Sequence, residues 1–470
     1  MQIHQYKSNG LSIVLDVPSG SVHVVDDIVY DAISIMQETK DKAEIRRRLE
    51  NEYPSGKIGL YGEPDEIDEA LSEIEELKNN GMLFTEEPYA PAIEEFAERP
   101  TVVKALCLHI AHDCNLACRY CFAEEGEYHG RRALMSFEVG KKALDFLIES
   151  SGSRQNLEVD FFGGEPLMNW EVVKQLVAYG RGLEAESLKN GRPKKFRFTI
   201  TTNGVLLNDE IMEFCNREMD NVVLSVDGRK EVHDRMRPFR NGSGSYDLII
   251  PKFLKFAEMR RNLGKKYYVR GTYTHWNLDF SKDVLNLADL GFDQISVEPV
   301  VAPKEADYAL KEEDVPYLME QYDILAKEMI RRKKEGKGFN FFHFMIDLTG
   351  GPCVYKRLSG CGSGTEYLAV TPWGDFYPCH QFVGNEKFLL GNVDAGVLRT
   401  DIVKEFKHVN VYAKKECRSC FARFYCSGGC AANSYNFTGG ICDVYDIGCR
   451  LERKRVECAI MLKAAEAEED

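Results

Sequence analysis

The chain has 470 residues, of which 44% are apolar, so it is long enough for about two to four domains with sizeable cores. Its net charge of −15 is concentrated in residues 1–98, which carry 22 Asp and Glu against 8 Lys and Arg. This acidity excludes nucleic acid as a partner, because phosphate contacts need Lys and Arg. No run of about 18 apolar residues is present to span a membrane, and the N-terminus lacks an export signal, so we expect a cytoplasmic protein.

Residues 1–90 are predicted to form a small module of strands and helices. Its expected elements are strands over 10–16 and 21–25, a helix capped by Asp27, helices beginning near Lys42 and at Asp65, and a returning strand over 82–84. This order resembles the winged-helix-like domain that recognises precursor peptides ahead of many peptide-modifying enzymes. A plain dimerisation or DNA-binding winged helix is the alternative, and the acidity of the segment argues against DNA.

A linker rich in Pro, Ala and Glu, residues 88–100, leads into a region in which strand and helix signals alternate. The expected strands are 101–110, 157–162, 196–201, 222–226, 267–274 and 294–300, and the clearest helices are 137–150 and 171–180. This rhythm predicts an α/β fold with a parallel sheet. About six units predict a partial (β/α)6 TIM-like barrel over residues 91–310, open at one side and followed by a helical connector over 311–345.

Directly after the first of these strands, three cysteines stand close together: Cys114, Cys118 and Cys121. Fifteen cysteines in a large chain without an export signal point to metal rather than disulfides. A structural zinc site takes four ligands, whereas three thiolates around a four-iron cluster leave one iron for a ligand that is not protein. The Cys-x3-Cys-x2-Cys spacing, with Tyr120 before the last cysteine, resembles the radical S-adenosylmethionine (SAM) enzymes. Three buried cysteines, or part of a zinc site, are the alternatives.

The resemblance implies that SAM chelates the open iron through its amino and carboxylate groups, and that residues at the strand ends contact SAM. These residues are Tyr120, Gly163, Gly164, Glu165, Asn203, Ser225, Asp227 and Arg237. In the family, the Gly-Gly-Glu-Pro segment at 163–166 binds the SAM amino group. Turn or helix capping is the alternative role for each polar residue.

A second cysteine-rich region, over 346–470, resembles the SPASM domain of peptide-modifying radical SAM enzymes. The cysteines that carry this resemblance are Cys361, Cys379, Cys417, Cys420, Cys426 and Cys430, with Gly374 between the first two. The resemblance implies two auxiliary clusters here, and therefore three [4Fe-4S] clusters in the whole chain. Cys-x2-Cys pairs also suit zinc, but the longer gaps between the other cysteines argue against it.

The resemblance also assigns ligands to the two auxiliary clusters. The first would take Cys361, Cys379 and Cys430, with Cys353 as candidate fourth ligand. The second would take Cys417, Cys420, Cys426 and either Cys449 or Cys442, of which Cys449 is favoured. The cysteines left over, Cys107, Cys215, Cys442 and Cys458, are expected to be ordinary small apolar residues.

The order of module, barrel and SPASM domain resembles the maturases of the six-cysteine SCIFF peptides. The resemblance implies a thioether between a Cys sulfur and the α-carbon of an acceptor residue, Thr in that family. It also implies two partners, which are a small Cys-rich precursor peptide held by its leader and an electron donor such as a flavodoxin or ferredoxin. Peptide epimerisation, carbon–carbon cross-linking and sulfatase-type maturation are the alternative reactions, and a non-enzymatic zinc scaffold is the alternative outside enzymes.

Overall fold

The computed structural model describes residues 2–54, 65–87, 89–128, 130–348 and 357–467. Its strands are β1 (Ile3–Ser8), β2 (Leu11–Asp16), β3 (Ser21–Val25), β4 (Ala105–His112), β5 (Ala133–Leu134), β6 (Asn156–Gly163), β7 (Lys195–Thr202), β8 (Asn221–Ser225), β9 (Tyr268–Tyr273), β10 (Gln294–Pro299), β11 (Asn340–Phe341), β12 (Tyr367–Val370), β13 (Asp375–Tyr377), β14 (Gly391–Asn392) and β15 (Gly396–Val397). Its α-helices are α1 (Asp27–Glu38), α2 (Lys42–Glu52), α3 (Glu66–Asn79), α4 (Ile93–Ala97), α5 (Phe137–Ser150), α6 (Trp170–Lys189), α7 (Asp209–Glu218), α8 (Lys230–Met236), α9 (Tyr246–Asn262), α10 (Phe280–Asp289), α11 (Val315–Lys334), α12 (Thr400–Lys407), α13 (Arg423–Cys426), α14 (Ala431–Thr438) and α15 (Asp446–Ala467).

The N-terminal module is an antiparallel sheet in the order β1-β2-β3, followed by helices α1 to α3. Strand β2 separates two cores, because successive side chains of a strand point to opposite faces. Val14 packs against the three helices, whereas Ile13 and Leu15 join the main core of the chain. The module is therefore packed onto the rest of the protein through one face of its own sheet.

The barrel is a parallel sheet in which β4, β6, β7, β8, β9 and β10 are neighbours in chain order. These are the six predicted strands, and the structure confirms them. Strand β4 is buried along its whole length, as expected of a strand covered on both faces. In the described residues no strand joins β10 back to β4, so the barrel is partial.

The C-terminal region continues the same sheet. Strand β12 pairs in parallel with β4, and β13, β14 and β15 follow as antiparallel neighbours. The helical connector is present as α11, which packs along the C-terminal helix α15. The pairing of β12 with β4 places the cysteine-rich region beside the strand that leads into the Cys114 loop. None of the helices in the described ranges is long and apolar enough to cross a bilayer.

Several predicted element bounds are wrong. Helix α1 is capped by Asp26, whose carboxylate accepts from the Val29 amide at 2.8 Å, rather than by Asp27. The returning strand over 82–84 is absent, because Phe84 has a φ of 53°, which a strand residue does not adopt, and β1 fills the third place in the sheet.

The barrel has two further differences from prediction. The first strand begins at Ala105, because the amides of Val103 and Lys104 donate instead to the carbonyls of Ser150 and Glu366. The linker also contains α4, which buries Phe96 and Ala97.

Candidate active site

The predicted cysteine loop follows the C-terminal end of β4, and its three thiols line one cavity of about 260 Å³. Active sites of α/β barrels lie at this end of the strands. Within the loop the Cys121 amide donates to the Cys118 carbonyl at 3.1 Å, which makes a tight turn between the two cysteines. The structure therefore brings Cys114, Cys118 and Cys121 together at the mouth of the barrel.

The electrostatics of the Cys114 and Cys118 thiols fit a four-iron cluster. Burial, with added repulsion from Glu165 and Cys121, raises the pKa of Cys114 to about 12. Burial also raises the pKa of Cys118, with Cys114 and Cys121 adding to the effect. Thiolates this unfavourable without a cation fit a site for a positively charged iron group, because metal binding deprotonates thiols.

The number of cysteines also fits. No fourth cysteine is among the described residues that line the cavity, so one iron would be left for a non-protein ligand. No three His, Cys, Asp or Glu side chains of the described residues are arranged to hold a single metal ion. Each thiolate of a four-iron cluster binds a different iron, so its sulfurs do not need to converge on one point as those of a zinc site do.

Two glycines bring the end of β6 against the cysteine loop. A Cβ at Gly163 would lie 2.3 Å from the Ala111 carbonyl oxygen, and one at Gly164 would lie 2.1 Å from that of Asp113. Gly163 also has a φ of 123°, a conformation that side chains oppose. Both glycines line the cavity. They are nevertheless required first by the close approach of the chain's own backbone, which leaves no room for a side chain.

Glu165 lines the same cavity and is 1% exposed. Its carboxylate accepts from the Thr202 hydroxyl at 2.7 Å and from the amides of Asn203 at 2.8 Å and Leu167 at 3.0 Å. Burial raises the pKa of Glu165 to about 7, and these three hydrogen bonds oppose the rise. The carboxylate is held rigidly, and an added hydrogen-bond donor from a ligand would favour its ionised form.

Asn203 and Ser225 stand at the ends of β7 and β8 and line the cavity. The Asn203 side-chain amide donates to Asn115 Oδ1 at 2.7 Å and lies 3.6 Å from the Cys114 sulfur. Its side-chain oxygen accepts from the Val205 amide at 3.0 Å. Asn203 therefore connects the strand end to the cysteine loop in addition to any ligand contact.

Asp227 lies behind the cavity wall and is fully buried. Its carboxylate accepts from the Tyr120 hydroxyl at 2.8 Å, from Arg237 Nε at 3.1 Å and from the Thr272 amide at 3.0 Å. Tyr120 and Arg237 line the cavity, whereas Asp227 does not. Asp227 thus fixes two side chains that line the cavity, and its own contact with SAM stays a prediction.

Two charged wall residues were missed by sequence reasoning. Arg270, in the middle of β9, and Glu298, near the end of β10, line the cavity and form an ion pair at 2.7 Å. Burial acts to raise the pKa of Glu298, but Arg270, His343 and Arg455 outweigh it and lower the pKa to about 2. The available signal was a charged residue inside each of two predicted strands that are otherwise uncharged.

The first auxiliary group of cysteines is also assembled. Burial raises the pKa of Cys379, and the nearby thiols of Cys430 and Cys361 add to the rise. His380 and Gln381, which follow Cys379, line the same cavity as the Cys114 loop. The candidate fourth ligand, Cys353, lies outside the described residues.

Of the two candidates for the last ligand of the second auxiliary group, Cys449 interacts with other cysteines of that group, and its role as a ligand stays a prediction. The pKa of Cys449 is raised to about 11 by burial and by the thiols of Cys417 and Cys420. Burial raises the pKa of Cys426, and the charges of Glu452, Cys449, Cys417 and Cys420 add to the rise. The charges that act on Cys442 are those of Lys414, Asp443 and Glu405. The leftover Cys107, Cys215 and Cys458 are buried in the core, as predicted.

Comparisons with known proteins match both the fold and the cysteine loop. The model of the radical SAM superfamily matches residues 108–250. The chain is 27% identical to a serine-type anaerobic sulfatase-maturating enzyme of Bacteroides thetaiotaomicron, over 69% of this chain and 81% of that one. It is 21% identical to the radical SAM cyclopropyl synthase TigE of Paramaledivibacter caminithermalis, over 93% of this chain and 91% of that one.

Two solved structures share the fold. The enzyme anSMEcpe with bound AdoMet and a Cp18Cys peptide superposes with a TM-score of 0.62 at 19% identity, covering 78% of this chain and 99% of that one. SuiB of Streptococcus suis bound to precursor peptide SuiA superposes with a TM-score of 0.52 at 16% identity, covering 93% of this chain and 95% of that one.

Proposed function

We propose that this radical SAM enzyme, which is related to the anaerobic sulfatase-maturating enzymes, forms a thioether in a small Cys-rich precursor peptide. The bond would join a Cys sulfur to the α-carbon of an acceptor residue, which is Thr if the resemblance to SCIFF maturases holds. The observation that carries the proposal is that the Cys114 loop shares its cavity with residues next to a second cysteine group. The Cys114 loop lines the cavity, and so do His380 and Gln381, the two residues that follow Cys379.

The residues of the cavity have distinct tasks in this proposal. When bound, the cluster and SAM together supply a 5′-deoxyadenosyl radical that removes hydrogen from a peptide carbon. Glu165 accepts from the SAM amino group, and the guanidinium of Arg237 attracts the SAM carboxylate. Arg270 and Glu298 present one donor and one acceptor on the wall where the peptide would lie.

Joining a thiol to a carbon radical also requires that one electron leave. The Cys361, Cys379 and Cys430 group is the proposed acceptor site, because His380 and Gln381, which follow Cys379, line the cavity in which the radical would form. Cys353 stays a candidate for its fourth ligand. Cys417, Cys420, Cys426 and Cys449 are the proposed ligands of a third cluster.

The N-terminal module is proposed to hold the leader of the peptide at the outer edge of β3. Strand β1 faces the cysteine-rich region, where His4 stacks on Phe421 at 3.5 Å and the Tyr6 hydroxyl donates to the Glu457 carbonyl at 2.8 Å. The other edge, β3, has a strand partner on one side only within the described residues, and its Val24 is exposed. An extended peptide can pair with such an edge.

A charged residue on that edge tests the role of the module. Val24→Glu should raise the KM for the peptide at least several-fold and leave peptide-independent SAM cleavage unchanged. Leu188→Glu on α6 is the matched control, because Leu188 is also an exposed apolar residue and lies far along the chain from the module. Equal peptide kinetics in the two variants would exclude β3 as the docking edge.

A second reaction is favoured by one comparison. The match to the cyclopropyl synthase spans 93% of this chain, including the N-terminal module, so carbon–carbon bond formation is the second candidate. Mass spectrometry of the peptide encoded by a short Cys-rich reading frame beside the gene separates the reactions. A thioether removes two hydrogens and one alkylatable thiol, whereas a new carbon–carbon bond removes two hydrogens and keeps every thiol. Epimerisation changes neither the mass nor the thiol count.

A further inference from the structure

The outer side of the Cys114 loop carries a group of exposed arginines. The loop is held by the end of α8 and the residues that follow it, since the amides of Ala117 and Arg119 donate to the carbonyls of Pro238 and Met236, each at 2.9 Å. Arg119 extends from the loop, and Arg235 and Arg240 extend from the supporting segment. We define these three exposed residues as the arginine surface. Arg240 also donates to the Cys114 carbonyl at 2.7 Å, so the surface directly adjoins the cluster-binding backbone.

Trp276 holds two of these arginines in place. The Arg235 guanidinium lies 3.6 Å from the centre of the Trp276 ring, and that of Arg119 lies 5.9 Å from it. Such cation–π contacts order a guanidinium without neutralising its charge. In the described part of the chain, neither Arg119 nor Arg235 has a carboxylate within ion-pair distance. Both charges are therefore available to a partner.

An aromatic path leads inward from this surface. The rings of Trp276 and Tyr308 are in edge contact, with centroids 6.1 Å apart. Burial raises the pKa of Tyr308, and the charges of Asp307 and Cys121 add to the rise, so Tyr308 is close enough to the third cysteine of the loop for their charges to interact. Trp276 and Tyr308 thus lead from Arg119 and Arg235 towards the Cys114 loop.

We propose that the arginine surface is the docking site of an acidic one-electron carrier protein of the flavodoxin type, which delivers its electron next to Cys121 through Trp276 and Tyr308. This proposal rests on the proposed radical SAM function, which requires one electron for each SAM cleaved. The carrier loses one electron and the cluster gains it, so no other reactant is needed. The arginine surface contrasts with the N-terminal module, whose charge would repel an acidic carrier. Complementary charges of this kind raise association rates.

Charge reversal tests the docking site with defined probes. Purified flavodoxin is the carrier, dithionite is the small reductant, and no peptide is required. In the Arg119→Glu/Arg235→Glu enzyme, the Kd for flavodoxin and its rate constant of association should each worsen about tenfold. The ratio of SAM cleavage driven by flavodoxin, below saturation, to that driven by dithionite should fall by the same factor. Association with the unmodified enzyme should slow as salt is added, and less so with the variant.

Two further variants keep the test decisive. Arg192→Glu is the matched control, because Arg192 is exposed before β7, at the opposite end of the barrel strands, and should leave the Kd for flavodoxin unchanged. Arg119→Gln/Arg235→Gln removes the charges without adding new ones and should give an intermediate Kd.

Three results would overturn the inference. An unchanged Kd in both double variants would show that flavodoxin docks elsewhere. An equal loss of dithionite-driven cleavage would show that the arginines support the cysteine loop. A raised KM for the peptide with unchanged flavodoxin kinetics would assign them to the peptide site. If the unmodified enzyme makes no 5′-deoxyadenosine with dithionite, the proposed function fails, and the Kd comparison still tests the docking site.

Discussion

Glu165→Gln tests the assignment of the SAM amino group. The carboxylate is buried and its pKa is raised to about 7 by burial, so it loses its accepting charge as the pH falls through 7. At pH 6 roughly one-tenth of the carboxyl groups are ionised, and at pH 8 roughly nine-tenths. If only the ionised carboxylate accepts from the SAM amino group, the contribution of Glu165 to SAM affinity should weaken about tenfold between pH 8 and pH 6.

The size of the effect follows from the hydrogen bond that is lost. A bond to a charged group contributes about 1.5–3 kcal/mol, so the Gln variant should bind SAM roughly 10 to 150 times more weakly at pH 8. The α-amino group of the ligand titrates near pH 8 as well. The informative quantity is therefore the ratio of the Kd of the variant to that of the unmodified enzyme, which cancels the ligand's own titration.

The assay is equilibrium binding of SAM to the cluster-loaded enzyme, without oxygen, at pH 6, 7 and 8. The Kd ratio should rise about tenfold from pH 6 to pH 8. Glu171→Gln is the control, because Glu171 is an exposed residue at the start of α6 whose partner is Lys174. A Kd ratio that stays constant over this range would refute the role given to Glu165.

Two further predictions concern the support of the site and the auxiliary clusters. Asp227→Asn leaves the guanidinium of Arg237 buried without its partner, so the free energy of unfolding, measured by denaturant titration, should fall by about 3–5 kcal/mol. Adding Arg237→Met to this variant should recover part of the loss. Equal stability of Asp227→Asn and the unmodified protein would contradict this pairing. Cys449→Ser should remove about four of about twelve irons per chain, whereas Cys442→Ser should remove none. Iron loss from Cys442→Ser alone would reverse the ligand assignment.

Much of the barrel could be predicted because its strands are covered on both faces. A segment such as β4 is apolar almost throughout, and its helices carry a clear apolar stripe, so both signals are local. Strand β1 was missed because none of the residues of Ile3–Ser8 is fully buried, and the sequence IHQYKS contains few apolar residues. The strand over 82–84 was predicted from three apolar residues, although the φ of Phe84 is positive, which a strand residue does not adopt.

The site was predictable where ligands are close in sequence and unpredictable where they meet through the fold. Cys114, Cys118 and Cys121 lie on one loop, so their spacing alone indicated the chemistry. The Arg270–Glu298 pair depends on the register of β9 and β10, which sequence spacing does not reveal. The contrast between Cys449 and Cys442 likewise depends on where α15 begins.

The most direct test of the account is 5′-deoxyadenosine production from SAM with dithionite as reductant. The unmodified enzyme should release 5′-deoxyadenosine and methionine in equal amounts. The variant with Cys114, Cys118 and Cys121 all replaced by Ala should release none, while it keeps about eight irons per chain in the two auxiliary groups. SAM cleavage by this triple variant at the rate of the unmodified enzyme would contradict the central claim that this loop holds the reactive cluster.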